Sequence, residues 1–286
     1  MDQSSIDEFL DEVVQFKGER VLFDARHLRW VDPNGMVGLL LAGSVAGETL
    51  GMRPRIELPD NADVQGYLGR MGFYSHAQKV FECEEDTSGA VSRASDVLLE
   101  ITAINTNHDV HEIVDQVQGR ASAMLTSKLG YPSSSVIPFS VMLSEVCQNI
   151  IEHADGPGWV AAQAYNWAKR LGRFVIVISV MDRGRGFKGS LSDEHSARYG
   201  DRWSDSTALE AAFLQGLTRF ADPGRGQGLQ QIRKQVRKWS GLISARSGTA
   251  RISQVPEWDD SLPMVDGMAP LPGTQISITL PAVVGP

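Results

Sequence analysis

The stretch 145-EVCQNIIEHA-154 places an acid, an amide and an imidazole at four-residue intervals, as Glu145, Asn149 and His153. A helix here would stack them along one face, with Glu145 and Asn149 roughly 6 Å apart. A carboxylate and an amide at that spacing can hold a hydrated magnesium ion, because Mg²⁺ prefers oxygen ligands and keeps waters. The alternative is a hydrogen-bonded polar pair on a half-exposed helix. The apolar residues of the same helix are expected to face a core: Leu143, Val146, Ile150 and Ala154.

A second acid, Asp182, ends the apolar run 173-RFVIVISVMD-182 and is followed by Gly184 and Gly186. The run has the length and composition of a buried strand, which would place the carboxylate at the floor of a cleft. There it could accept a hydrogen bond from an exocyclic amine, while the glycines would let a planar ring approach the backbone. Ordinary strand-to-loop punctuation is the alternative interpretation.

A third candidate site is the glycine-rich turn 224-GRGQGL-229, which comes directly before a predicted helix. Alternate glycines leave backbone N–H groups exposed, and a helix N-terminus adds partial positive charge, so the turn predicts a phosphate seat. It is neither a P-loop nor a dinucleotide-binding fingerprint, because the order strand, glycine motif, helix is absent. Arg183, Arg185 and Arg225 accompany these glycines and could either contact phosphates or be solvated.

All three candidate sites lie in the second part of the chain, where helices and strands follow one another without regular βαβ repeats. That order predicts an α+β sandwich with helices on one face of a mixed sheet. Residues 183–206 and 256–272 are expected to form loops. The other expected elements are strand 97–104, helix 108–129, the helix that carries Glu145, strands 158–167 and 173–182 as a hairpin, helices 207–217 and 228–239, and strands 241–247, 249–255 and 274–281.

The first part of the chain is interpreted as a small α/β unit. Its run 36-MVGLLLAGSVAGETLG-51 predicts a buried helix that ends at a glycine. The polar, patternless residues 82–95 are the best linker candidate, so we predict two domains, 1–90 and 96–286. The other expected elements are helix 4–16, strand 20–25, turn 31–35, a strand from residue 53 and helix 62–73.

The sequence order of the motifs resembles the GHKL, or Bergerat-fold, superfamily of ATP-binding proteins. The shared features are a helix-borne E-x-x-x-N-x-x-x-H, a strand-borne D-x-G-x-G, the turn G-x-G-x-G-L, and Gly273-Thr274 before a terminal strand. The superfamily covers DNA gyrase, the MutL mismatch-repair proteins, sensor histidine kinases and the anti-sigma-factor serine kinases. The resemblance extends over about residues 96–283. His153 followed by Ala154 is most similar to the His-Gly ending of the anti-sigma kinases.

This resemblance implies ATP and Mg²⁺ as cofactors, with Asn149 as the metal ligand and Glu145 as the catalytic residue. Glu145 would activate water in a gyrase-like member, or accept the proton of a serine hydroxyl in a kinase-like member. Asp182 would bind the adenine amine, and residues 187–223 would form the lid over ATP. The nucleotide contacts that it implies are Asn149, His153, Asp182, Gly184, Gly186, Gly224, Arg225, Gly226, Gln227, Gly228, Leu229 and Thr274.

The segment 21-VLFDARHLRWVDPNGMVGLLLAG-43 resembles a STAS domain, the fold of anti-sigma-factor antagonists. In that family a serine in the turn before the helix is phosphorylated by the partner kinase. The turn here is Asp32-Pro33-Asn34-Gly35, which carries no hydroxyl, so we expect the phosphorylation switch to be missing. The resemblance covers roughly residues 5–80, and any small α/β domain is the alternative.

Together the two resemblances predict a scaffold whose ATP state controls a contact with a regulatory protein, such as a sigma factor or a toxin. A homodimer is left open. One rival is a serine protein kinase of the anti-sigma type, and another is a nucleotide sensor or antitoxin-like module without turnover. The residues that bind nucleotide are shared by all three, so the sequence does not choose between an ATPase, a kinase and a sensor.

Composition narrows the classes of protein further. The 286 residues are 42% hydrophobic and 22% charged, as expected for a soluble globular chain. Residues 1–95 carry 9 Lys and Arg against 16 Asp and Glu, which argues against direct nucleic-acid binding. Neither a signal peptide nor a membrane span is predicted. Two distant cysteines, Cys83 and Cys147, indicate free thiols in a reducing cytoplasm.

Overall fold

The computed structural model describes residues 1–83, 97–168, 170–219 and 228–283. The predicted α+β class is confirmed, with helices packed on a five-stranded antiparallel sheet. The predicted linker, 82–95, lies almost entirely outside the described residues. The first part of the chain contains α1 (Gln3–Gln15), β1 (Leu22–Asp24), α2 (Pro33–Leu50), β2 (Arg55–Glu57), α3 (Ala62–Arg70) and α4 (Phe73–Val80).

The second part contributes the sheet and the helices around the candidate site. Two of its helices continue in π-helical turns, α5 through Met124–Lys128 and α6 through Ile150–Ala154. The elements are β3 (Val97–Ile104), α5 (Asn107–Ala123), α6 (Val136–Asn149), β4 (Gly158–Trp167), β5 (Arg173–Asp182), α7 (Gly186–Tyr199), α8 (Asp205–Phe213), α9 (Gly228–Lys238), β6 (Leu242–Gln254) and β7 (Met264–Pro281).

The sheet has the strand order β3-β4-β5-β7-β6, and its ladders are antiparallel, where the sequence predicted a mixed sheet. Strand β5 is central, because it pairs with β4 over its whole length and with β7 from Val175 to Asp182. The predicted β4–β5 hairpin is therefore confirmed. Eight consecutive residues of β5 are buried, which explains why its sequence is apolar without alternation.

Helices α5, α6 and α9 cover one face of the sheet and share a hydrophobic core with it. Leu143, Val146, Ile150 and Ala154 are buried in this core, as predicted. The helical stretch Ser133–Ala154 is long and apolar enough to cross a membrane by length and composition. A buried core helix passes the same test, and packing against the sheet accounts for the apolar character of this one.

The first part of the chain covers the opposite face of the same sheet. Helix α2 lies at the centre of this layer, and its residues from Pro33 to Gly43 are all buried, because β4, β5, α1 and α4 surround it. Its core therefore includes residues of both parts of the chain, such as Leu40 with Met181. The boundaries follow local signals: Asp32 caps the first turn, and Gly51 ends the helix at φ 67°.

A buried cluster of ion pairs joins α1 to the edge strand β6. The side chain of Arg246 is fully buried and contacts the carboxylates of Asp7, at 3.1 Å, and Asp11. Arg251 contacts the other oxygen of Asp7 at 2.5 Å. Each buried charge thus has an opposite charge beside it, which offsets the high cost of removing it from water. The cluster fixes the acidic first helix at one position on the sheet.

Two predicted loops are wrong in part. Most of 183–206 forms helix α7, whose Leu191 packs in the core, so residues of the expected lid are packed helix. Residues 264–272 belong to β7, where Leu271 pairs with Gly248 and Met264 with Ile252. Residues 264–272 show no alternating pattern in the sequence, and they form a strand because they pair with β6. The two strands predicted at 241–255 are one continuous strand, β6.

Replacing Leu40 with alanine should lower the free energy of unfolding by about 2–5 kcal/mol, because the side chain is fully buried in α2. Chemical denaturation followed by circular dichroism measures this change. The matched control is Leu262→Ala, since Leu262 is 64% exposed and its truncation should have little effect. Equal effects of the two substitutions would contradict the placement of α2 in a core.

Candidate functional site

The polar stripe predicted on α6 faces a cleft. Glu145 and Asn149 lie on the last turns of the helix, and His153 lies in the π-helical turn that follows, and all three line the same cavity. Neither Glu145 nor Asn149 makes a side-chain hydrogen bond or ion pair with any described residue. Their oxygen atoms are therefore available to a ligand.

Asp182 lies at the end of β5, in register with Gly158 of β4 and Thr274 of β7, and lines this cleft. Its carboxylate is 6% exposed and accepts hydrogen bonds from the backbone N–H groups of Gly184, at 2.8 Å, and Thr274. Burial raises the pKa of Asp182 to about 7, against the opposing effect of these two hydrogen bonds. An acid held this way can accept a further hydrogen bond from a ligand donor.

Glycines allow the chain to pack closely around Asp182. A Cβ at Gly184 would clash with the backbone of Ala154, so Gly184 lies beneath the cleft and holds its wall together. Gly186 does line the cleft, has φ 66°, and would place a Cβ 2.5 Å from Ser247 Oγ. Gly273 has φ 83°, and a Cβ there would clash with the backbone of Asp182. Side chains at these positions would push β5, α7 and β7 apart.

The start of α9 lies beside Glu145. Gly228 and Leu229 line the cleft, and a Cβ at Gly228 would lie 2.5 Å from Oε2 of Glu145. The acid on α6 thus approaches the first described residue of α9. The remaining residues of the predicted phosphate seat lie outside the described residues: Gly224, Arg225, Gly226 and Gln227.

The cleft has a free volume of about 100 Å³, which is below the roughly 300–1,000 Å³ of typical small-molecule and cofactor sites. Thr274 lines it together with the residues above. The sequence analysis did not predict the apolar residues that line the cleft. Two of them, Val180 and Ile276, could have been found, because each is two residues from Asp182 or Thr274 on the same strand, and side chains two residues apart lie on one face. The missed apolar residues are Val146, Ile150, Val180, Phe187, Leu191, Ala212, Leu217 and Ile276, whereas Leu229 was predicted.

The environment of His153 favours the neutral form of its imidazole. Burial lowers the pKa of His153, and the positive charge of Arg219 lowers it further. Its Nδ1 lies 3.2 Å from Oγ of Ser190 on α7, so His153 and Ser190 join two walls of the cleft. A neutral imidazole can act as a hydrogen-bond partner there.

The two arginines next to Asp182 do not line the cleft. The guanidinium of Arg183 contacts Ser44 and Glu48 of α2, and that of Arg185 forms an ion pair with Asp155. Arg183 and Arg185, for which the sequence left phosphate contact and solvation open, therefore pair with other residues of the protein outside the cleft.

The oxygen donors in the cleft fit a metal ion that is shared with a ligand. The described residues contain no group of three or more His, Cys, Asp or Glu that could hold a metal by itself. Magnesium is commonly bound by one or two protein oxygens, with substrate phosphates and waters completing its shell. Asn149, with Glu145 one turn away, supplies such a set.

No model of a protein family matches the chain, and no curated protein matches it. Among solved structures, the chain aligns with the histidine kinase domain of a blue-light activated histidine kinase from Erythrobacter litoralis EL346. The alignment covers 98% of this chain and 94% of that domain, with 13% sequence identity and a TM-score of 0.29. A likeness this distant carries no argument about function, which is therefore argued below from the cleft.

The raised pKa of Asp182 predicts a pH dependence of stability. Between the ordinary pKa of about 4 and the folded value of about 7, the folded protein holds a proton that the unfolded chain has released. The stability of the wild type relative to Asp182→Asn should therefore fall as the pH rises from 5 to 7. Urea denaturation at several pH values measures this difference.

Asp24→Asn is the matched control, because Asp24 is an exposed acid whose pKa is lowered by its hydrogen bonds to Arg26. Both the folded and the unfolded form of Asp24 are ionised above pH 5, so its difference from wild type should stay constant from pH 5 to 7. If the difference in stability between wild type and Asp182→Asn stays constant over the same interval, the pKa of Asp182 is not raised by burial.

Proposed function

We propose that the chain is a Mg²⁺–ATP-binding protein of the GHKL class that couples the state of its nucleotide to a contact with a regulatory protein. One observation carries the proposal: Asn149, Asp182, Gly228 and Thr274 come from four separate stretches of the chain and line a single cleft. These are the positions at which the sequence resembles the four motifs of that superfamily.

The adenine end of the nucleotide would lie against Asp182. Its buried carboxylate would accept the hydrogen bond of the exocyclic amine, a contact that replaces water and so favours bases with a donor at that position. Apolar residues around it, such as Val180, Ile276 and Leu191, suit the faces of a planar ring. The close packing at Gly186 leaves the space beside the acid clear of side chains.

The phosphate end would lie between α6 and the N-terminal turn of α9. Backbone N–H groups at a helix N-terminus bind phosphate, and Gly228, the first described residue of α9, lines the cleft. Bound Mg²⁺ would neutralise phosphate charge, with Asn149 as its protein ligand. Glu145, which has no partner among the described residues, would accept a proton from an attacking water or hydroxyl group.

A regulatory role is supported by how the first part of the chain is packed. The STAS-like segment covers one face of the sheet that carries Asp182, and its Asp32–Gly35 turn is buried. An outside kinase therefore cannot reach this turn, which also carries no hydroxyl group. We propose that the contact with a regulatory protein uses exposed surface of either part, in the cytoplasm.

Wild-type protein should bind ATP more tightly with Mg²⁺ than without it, and Asp182→Asn should weaken binding about 10-fold or more. The amide cannot offer the same acceptor pair to the adenine amine, and a hydrogen bond to a charged group contributes about 1.5–3 kcal/mol. Isothermal titration calorimetry measures the affinities. Asp24→Asn should bind as the wild type does, and wild type that ignores millimolar Mg²⁺–ATP would refute the proposal.

Replacing Glu145 with alanine should lower ATP turnover about 100-fold or more while ATP still binds, since a positioned general base contributes at least that factor. The control is Glu210→Ala, an exposed acid of α8. Release of labelled phosphate to water identifies a hydrolase, whereas transfer to a serine of an added protein identifies a kinase. Turnover that survives in Glu145→Ala would exclude Glu145 as the base.

A further inference from the structure

The segment 183–185 links the end of β5 to the walls of the cleft through its backbone. The N–H group of Arg183 donates to the carbonyl of Pro157 at 3.0 Å, and that of Arg185 donates to the carbonyl of Ala154 at 2.9 Å. Between them, Gly184 donates to the carboxylate of Asp182 at 2.8 Å. The position of the Asp182 carboxylate therefore depends on where this three-residue segment lies.

The side chain of Arg183 leaves the segment on the face of the sheet opposite the cleft. Along β5, Val180 and Asp182 line the cleft, while Met181 belongs to the core around α2. Arg183 continues the alternation on the side of Met181. This placement explains why an arginine next to a cleft residue does not reach the cleft itself.

On that side Arg183 binds helix α2 at three points. Its Nη1 atom donates to the backbone carbonyl of Ser44 at 3.2 Å and to Oγ of Ser44 at 3.1 Å, and it lies 3.4 Å from the carboxylate of Glu48. The side chain of Arg183 is 25% exposed and that of Glu48 is 67% exposed, so solvent screens the ion pair more than the hydrogen bonds to Ser44. Ser44 and Glu48 line no part of the cleft.

Helix α2 can transmit a change of position because it is a packed, continuous element. Its residues Pro33–Gly43 are buried on all sides, and it contacts both β4 and β5. Its last turns, with Glu48 and Thr49 exposed, reach the surface of the protein. A displacement of α2 would therefore pull on the segment that fixes Asp182.

We propose that Arg183 is a positioning residue that holds the Asp182 carboxylate in place and couples the cleft to helix α2. Ligand bound at Asp182 and the docking of α2 then stabilise each other through the same hydrogen bonds. Coupling of this kind is reciprocal, so a change made on α2 alters affinity in the cleft. The nucleotide part of this inference rests on the proposed function, whereas the positioning of Asp182 does not.

A double-mutant cycle on Mg²⁺–ATP affinity tests the coupling. Arg183→Ala should weaken binding about 5-fold, and the α2 variant Ser44→Ala/Glu48→Ala should weaken it by a smaller factor, because the backbone carbonyl of Ser44 still accepts from Arg183. Combining them should give no more than the Arg183→Ala effect, because both contacts that the α2 variant removes are made by Arg183. Arg183→Lys should recover part of the affinity, since it keeps the charge that faces Glu48.

The matched control is Arg120→Ala, which removes an arginine paired with Glu100 at 2.6 Å on a surface remote from α2. It should leave ATP affinity unchanged. A residue that only stabilised the fold would change the melting temperature without a coupled change in affinity. Additive effects in the cycle, or wild-type affinity in Arg183→Ala, would overturn the inference.

Amide hydrogen exchange of the nucleotide-free protein tests positioning independently of ATP. Arg183→Ala should raise exchange in residues 182–186 about 10-fold relative to Arg120→Ala, while the core of β5 keeps its protection. If wild type fails to bind ATP but this local increase appears, the proposed function fails and the positioning role stands. Unchanged exchange in 182–186 would refute the positioning role whatever ATP does.

Discussion

The fold and the candidate site both depend on the burial of strand β5. It is paired on both edges, by β4 and β7, and both of its faces are buried, one in the core that includes residues of α6 and the other against α2. Any displacement of β5 would break both of its ladders and disrupt both cores. The backbone of Asp182 at its end is consequently fixed, whereas the position of its carboxylate also depends on the hydrogen bond from Gly184 in the segment that follows.

Arg246 and Asp182 are both buried ionisable residues, but their electrostatic environments differ. Arg246 is fully buried but is surrounded by Asp7 and Asp11, so its charge is compensated and the group serves to dock α1. Among the described residues, Asp182 accepts hydrogen bonds from backbone N–H groups alone, and burial raises its pKa to about 7. A compensated charge stabilises a structure, whereas an uncompensated acid that lines a cleft is typical of a binding or catalytic site.

The first and second parts of the chain share a hydrophobic core. Leu40 and Leu41 of α2 pack in the same cluster as Trp159 and Met181 of the sheet. This layer covers the face of the sheet opposite the proposed nucleotide, so an element outside the cleft contacts the strand that carries Asp182. Arg183 makes the polar contacts between this strand and α2. On the side of the cleft, the N–H group of its neighbour Gly184 donates to the carboxylate of Asp182.

The sequence by itself determined the elements whose signals are local. The helix with Glu145 and Asn149, the β4–β5 hairpin and the glycine that ends α2 follow from periodicity, apolar composition and a capping residue within a few positions. The convergence of Asn149, Asp182 and Thr274 was expected only through a resemblance. Tertiary structure decided the rest, because the antiparallel ladders, the extension of β7 into 264–272 and the direction of Arg183 depend on partners up to 139 residues away in the chain. No local pattern encodes such partners, so only the packed fold shows them.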